Sequence, residues 1–193
     1  MIITFVNGKG GVGKTTLSVM MALLYHELGK KTALLDNDPQ KTASKWLDEI
    51  RENYKEACPP LAVPGESYDI VVIDTPPRLD SEEVVGAIKL ANTVILLSSP
   101  SPADLWTTRE TVKVVNSHIR PGSKGALLFN QVVGHTKLGR EVETISEQIG
   151  MAALKNVIPR SQSFQHAAIY GLPALTANSR DALQRVALEI ATM

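Results

Sequence analysis

The stretch Asn7-Gly8-Lys9-Gly10-Gly11-Val12-Gly13-Lys14-Thr15-Thr16 follows directly on the apolar run Ile2–Val6. A glycine loop between an apolar run of strand length and a segment of helical period narrows the fold sharply. A strand must feed a helix through a turn whose backbone is left bare, and such a turn binds phosphate at the helix N-terminus. Two patterns overlap here. Gly8, Gly10 and Gly13 spell G-x-G-x-x-G, the dinucleotide-binding pattern. With Lys14 and Thr15 the same residues spell G-x-x-x-x-G-K-T, the phosphate-binding P-loop.

The rest of the chain repeats the strand-then-helix alternation. Strands are predicted at Ile2–Val6, Thr32–Asp36, Asp69–Asp74, Thr93–Ser98, Ala126–Asn130 and Ala153–Ile158. Most are continuous apolar runs, as in strands buried on both faces. Helical spacing covers Lys14–Leu28, Gln40–Tyr54, Ser81–Leu90, Asp104–His118, Leu138–Ile149 and Ser179–Thr192. The segment 57–67, with Cys58-Pro59-Pro60 and Pro64-Gly65, reads as a loop. The expected fold is α/β and three-layered: a mostly parallel sheet with helices on both faces, as one domain over residues 1–193. Functional residues are then expected at the carboxyl ends of strands, after Val6, Leu35, Ile73, Leu97 and Phe129.

Three features favour the P-loop over the dinucleotide pattern, although Asp36 lies 23 residues past Gly13, where a ribose-binding acid would stand. Lys14-Thr15 opens the helix, where a dinucleotide site has no use for a cation. In a P-loop, backbone N–H groups from Gly10 to Lys14 cradle phosphates, Lys14 reaches the β- and γ-phosphates, and the Thr15 hydroxyl meets Mg²⁺. The run Ile70-Val71-Val72-Ile73-Asp74 ends in an acid, as a magnesium-orienting strand requires. Lys9 would place an uncompensated charge at the crowded dinucleotide turn.

Composition excludes several classes. With 193 residues and 44% hydrophobic content the chain suits one soluble domain, and no apolar run approaches the ~20 residues of a membrane span. The N-terminal apolar run has no basic segment ahead of it and stops at the glycine loop, so a signal peptide is not expected. Cys58, the one cysteine, can build neither an internal disulfide nor an iron–sulfur or zinc site, and a cytoplasmic location is expected. Formal net charge is zero, yet it divides unevenly. Residues 1–110 carry 11 Lys+Arg against 15 Asp+Glu, and residues 111–193 carry 9 against 5. A basic face in the second half is permitted by that division.

Lys9 is accounted for by a resemblance. The segment Lys9–Thr15, K-G-G-x-G-K-T, resembles the deviant Walker A motif of the ParA/MinD family of ATPases. Asp36-Asn37-Asp38-Pro39-Gln40 is similar to that family's D-x-D-P-Q segment, and Asp74-Thr75-Pro76-Pro77 to its D-x-P-P segment. Ser98-Ser99-Pro100-Ser101-Pro102 and Val157-Ile158-Pro159-Arg160 also match ParA-like patterns. With the first strand starting at Ile2 and no extension expected before it, the chain resembles the short plasmid-type partition proteins most. The resemblance implies ATP and Mg²⁺ as cofactors and a homodimer in the ATP state. Lys9 would reach the partner's phosphates across a sandwich interface, by the logic of an arginine finger supplied in trans. It implies Lys9, Lys14 and Asp38 as catalytic residues, Asp38 orienting the attacking water. It implies Thr15, Asp36 and Asp74 at the metal, and Lys9 to Thr16 (with Gly10, Gly11, Val12 and Gly13) around the phosphates. By analogy Asn130 and Pro159 line the adenine, although a bland strand-end Asn is a competing reading.

The resemblance further implies nonspecific DNA binding and nucleoid association in the ATP state, a ParB-like partner that stimulates hydrolysis, and DNA partition as the function. The best-matched DNA contacts are Arg160, Arg180 and Arg185, with Lys155 a weaker candidate. A run of solvated surface arginines reads equally from composition. The C-terminal segment 181–193 carries one arginine and two acids, too little for a membrane anchor, so no membrane binding is expected. Two other readings stay open: a P-loop synthetase or kinase acting on a small metabolite, and a ParA-like positioning ATPase with a protein cargo.

Overall fold

The computed structural model describes residues 1–53, 58–134 and 142–193. Five strands form one parallel sheet: β1 (Ile2–Val6), β2 (Thr32–Asp36), β3 (Ile70–Asp74), β4 (Thr93–Ser98) and β5 (Lys124–Phe129). Their spatial order is β2-β3-β1-β4-β5, so the strand that feeds the glycine loop is central. The register places Asp36 directly beside Asp74, bringing two strand-end acids to one edge.

Seven α-helices accompany the sheet among the described residues: α1 (Lys14–Glu27), α2 (Thr42–Asn53), α3 (Glu82–Leu90), α4 (Pro102–His118), α5 (Val142–Ile149), α6 (Ser163–Tyr170) and α7 (Ala177–Ala191). Side chains alternate across the pleat. Ile3, Phe5, Ile95 and Leu97 therefore enter one core with α1, α2, α6 and α7. Val6, Val94 and Leu96 enter the other with α3 and α4. Residues Leu17 to Tyr25 of α1 are all buried, which explains why this helix is apolar nearly all round. The N-termini of α3 and α7 are capped by Ser81 and Thr176, each accepting a backbone N–H from within its first turn.

The predicted strand at Ala153–Ile158 is corrected. Only isolated parallel bridges join this segment to the β5 side, Leu127 with Ala153 and Val132 with Pro159. The reason lies on α7. The Glu189 carboxylate takes the backbone N–H groups of Lys155 (2.7 Å) and Asn156 (3.0 Å), of which a ladder continuing from Leu154 would have used that of Asn156. Helix α6 and the short 3₁₀ turn Leu172–Ala174 were not predicted. Of the predicted helix Leu138–Ile149, residues 138–141 lie outside the described residues, as does Tyr54 of Gln40–Tyr54.

Candidate functional site

The glycine loop leaves β1 and folds over the start of α1. Gly11 (φ 77°) and Gly13 (φ 96°) occupy the left-handed region, where a side chain would strain the backbone. Asn7 braces the loop from below. Its amide donates to the Leu97 carbonyl on β4 (2.5 Å) and accepts the Lys9 N–H (2.7 Å). Above the loop lies a cavity of about 570 Å³, within the range of small-molecule sites. Gly10, Gly11, Gly13, Lys14, Thr15 and Thr16 form its floor, and Asp38, Thr75 and Pro77 one wall. Asn130, Gln131 and the segment from Pro159 to Gln162 form the opposite wall.

Lys14 is buried, and its ammonium donates to the Lys9 carbonyl (3.2 Å). Burial pulls its pKa down, and the charges of Asp74 and Asp38 oppose that pull. A buried cation lacking a close carboxylate partner is poised for an anion. Asp74 is its acidic counterpart. The Thr15 hydroxyl donates to one carboxylate oxygen (2.9 Å) and the Ser18 hydroxyl to the other (3.1 Å). Burial nonetheless pushes the Asp74 pKa up to about 6. The two hydrogen bonds and Lys14 restrain the rise, and Asp36 adds to it.

Thr15 and Asp74 fit a magnesium ion that also takes phosphate oxygens. Mg²⁺ keeps several waters and needs only one or two protein oxygens. Among the described residues no group of three or more His, Cys, Asp or Glu could hold a metal alone. Asp36, expected at the metal through its waters, lies beside Asp74 and is hydrogen-bonded within its own segment. One of its oxygens accepts the Asp38 N–H (3.1 Å), the other the Ser44 N–H and hydroxyl (2.8 Å each). Its carboxylate shapes the loop that carries Asp38, and Asp38 itself reaches the cavity wall.

Lys9 does not line its own cavity. Its half-exposed ammonium pairs with the buried carboxylate of Asp104, in the first turn of α4, which also accepts the Ser99 hydroxyl. Sequence reading did not pair Lys9 with Asp104, although Ser101-x-x-Asp104 has the spacing of a helix start. It also missed Thr42 and Trp46 from α2 and Phe164 and Gln165 from α6, all on the cavity. Phe164, Ala167 and Ala168 at helical spacing before Gly171 were the available signal for α6.

Pro159 and Asn130, the residues expected at the adenine, both stand on the cavity wall. The Asn130 amide, however, is engaged with the loop, donating to the Val12 carbonyl (2.8 Å). The arginine candidates lie on two segments, Arg160 just after 153–158 and Arg180 and Arg185 on α7. Arg160 is at the cavity. Arg180 pairs with Glu27 at the C-terminal end of α1. Arg185 pairs with Asp181 one turn earlier (2.9 Å). Lys155 is exposed, its backbone N–H held by Glu189. No described helix is long and apolar enough to cross a membrane.

Comparison with known proteins agrees with this geometry. The family model for the CobQ/CobB/MinD/ParA nucleotide binding domain matches residues 3–174. Maintenance of carboxysome distribution protein A from Gloeobacter kilaueensis is 32% identical, over 98% of this chain and 93% of its own. The chromosome-partitioning ATPase Soj from Treponema pallidum is 27% identical, over 89% of this chain and 87% of its own. Among solved structures, the Cyanothece McdA(D38A)–ATP complex superposes with a TM-score of 0.78 at 14% identity, covering 100% of this chain and 96% of that one. At that identity the likeness concerns the fold.

Proposed function

The chain belongs to the CobQ/CobB/MinD/ParA nucleotide-binding family of P-loop ATPases, and from that premise we propose that it is a ParA-type positioning ATPase. In this reading magnesium-ATP closes two copies into a sandwich dimer. The dimer binds DNA nonspecifically, and hydrolysis stimulated by a cargo-bound partner returns it to the monomer. Such a cycle couples nucleotide state to DNA occupancy through differential affinity.

The observation that carries the reading is the division of labour between two lysines. Lys14 is buried in its own phosphate site, whereas Lys9 is half-exposed, turned onto Asp104 and absent from that site. A lysine built into the loop yet held outside the cavity is suited to a second copy's phosphates. Magnesium, when bound, neutralises charge on the β- and γ-phosphates. Thr15 and Asp74 would hold it, Lys14 would bind the same phosphates, and Asp38 would accept a hydrogen bond from the attacking water.

The relatives' names point to different cargoes. The 32% identical relative is named for carboxysome distribution and the 27% identical one for chromosome partition. The higher identity favours a protein assembly over a replicon as cargo. Light scattering of wild type and Lys9→Ala, in ADP and in ATP with magnesium, tests the switch. The expected result is a dimer in ATP alone that Lys9→Ala abolishes. A monomer in every state would overturn the reading and favour a small-metabolite enzyme instead.

A further inference from the structure

Two consecutive side chains at the end of β5 reach back over more than a hundred residues to the glycine loop. Asn130 Nδ2 donates to the Val12 carbonyl (2.8 Å), and Gln131 Nε2 donates to the Gly11 carbonyl (3.2 Å). The two residues are locked to each other and to the sheet. Asn130 Oδ1 accepts the Gln131 N–H (2.9 Å), and the Asn130 N–H donates to the Ser98 carbonyl on β4 (2.8 Å). These partners also fix the amide orientation. Turned over, Asn130 would set oxygen against the Val12 carbonyl and NH₂ against the Gln131 N–H.

Peptide planarity gives the contacts a consequence. In a trans peptide the carbonyl and the following N–H point in opposite directions. Holding the Val12 carbonyl toward Asn130 turns the Gly13 N–H away from it. Holding the Gly11 carbonyl toward Gln131 does the same for the Val12 N–H. Aligned N–H groups of this kind are what a phosphate-binding loop offers its anion.

Two backbone features show that the contact is close-fitted. A Cβ on Gly13 would lie 2.3 Å from Asn130 Nδ2, so the third glycine of the pattern is needed for Asn130 to approach at all. Gln131 sits at φ 58°, a left-handed conformation uncommon for a residue with a side chain. Asn130 is buried, so leaving the Val12 carbonyl without its donor would be costly.

We infer that Asn130 and Gln131 are positioning residues for the phosphate cradle, acting through the Val12 and Gly11 carbonyls, and that the Asn130 amide serves the loop instead of reading the base. This rests on the nucleotide reading of the cavity. The test uses binding of Mg-ATP and of magnesium tripolyphosphate, which has the phosphates without the base. Wild type, Asn130→Ala and Gln131→Gly are compared, with thermal melting alongside.

Asn130→Ala should weaken both ligands by the same factor, about tenfold. Gln131→Gly suits the left-handed backbone, so its melting temperature should hold or rise while both affinities fall about threefold. Loss of ATP affinity with tripolyphosphate unchanged would overturn the inference and return Asn130 to the base. Unchanged affinity for both ligands would overturn it while leaving the nucleotide site intact. Wild type binding neither ligand would overturn the nucleotide reading and the clamp with it.

Discussion

The carboxyl edge of the sheet and the outer face of α7 carry the two chemistries expected of this chain, and they are built in opposite ways. At the edge, polar groups are buried and partnered across the fold. Thr15 and Ser18 converge on Asp74, Asn7 holds Leu97, and Asn130 holds Val12. Burial without those partners would be expensive, so each contact is strongly determined by folding. On α7 the charges are partly or largely solvent-exposed, Arg185 paired with Asp181 one turn earlier and Arg180 with Glu27 of α1. Exposed pairs of this kind contribute about 0–1 kcal/mol, so a polyanion can displace the carboxylates. The nucleotide site is thus formed before its ligand arrives, whereas any DNA surface on α7 has to be released from neighbouring acids.

The largest test of that contrast is Asp38→Ala. Asp38 accepts the Gln40 N–H (2.9 Å) and reaches the cavity without supporting the core. ATP turnover should fall about 100-fold, while the ATP-dependent dimer persists. Single-turnover hydrolysis and light scattering read the two properties separately. Normal turnover would remove Asp38 from the chemistry.

A smaller effect is expected in the pH dependence of the nucleotide-free protein. Burial raises the Asp74 pKa from 3.8 to about 6, so between these values the native state holds a proton that the unfolded state has released. The stability contributed by that proton is complete below about pH 4 and is lost as pH rises through about 6. Asp74→Asn should flatten this slope and raise the melting temperature at pH 7.5 by about 3 °C or more, with magnesium-dependent binding abolished. A lower melting temperature at pH 7.5 would show that Asp74 is ionised there without penalty.

The smallest effect belongs to α7. Arg180→Glu combined with Arg185→Glu should weaken ATP-dependent DNA retention and reduce its salt dependence by about one unit of log–log slope for each phosphate no longer neutralised. Retention on DNA columns across a salt series measures this. An unchanged slope would take α7 out of the DNA surface and sharpen the difference between the two regions.

The sequence was most legible where chemistry and local pattern coincide. Strand ends at Val6, Asp36, Asp74 and Ser98 were read from continuous apolar runs closed by polar residues, and the strands of the folded chain end at the same residues. Gly8, Gly10, Gly13, Lys14 and Thr15 lie within one short stretch of chain, so their spacing alone marked a phosphate site. The segment 153–158 was less legible. Its apolar pattern suits a strand, but a carboxylate from α7 takes two of its N–H groups, and nothing local announces that. The partners of Lys9 and Asn130 were equally hidden, because Asp104 and Val12 are distant along the chain.

By itself, then, the sequence determined the order of the five strands and the helices between them, the glycine loop, and which side chains could meet phosphate and magnesium. Those properties follow from steric and hydrophobic periodicities that act over a few residues. Only the tertiary structure decided that Lys9 rests on Asp104 outside its own cavity, that Asp36 shapes the Asp38 loop, and that Asn130 faces the glycine loop. Such pairings depend on which strand ends become neighbours and on the need of each buried polar group for a partner, and both are set when the sheet closes around its central strand.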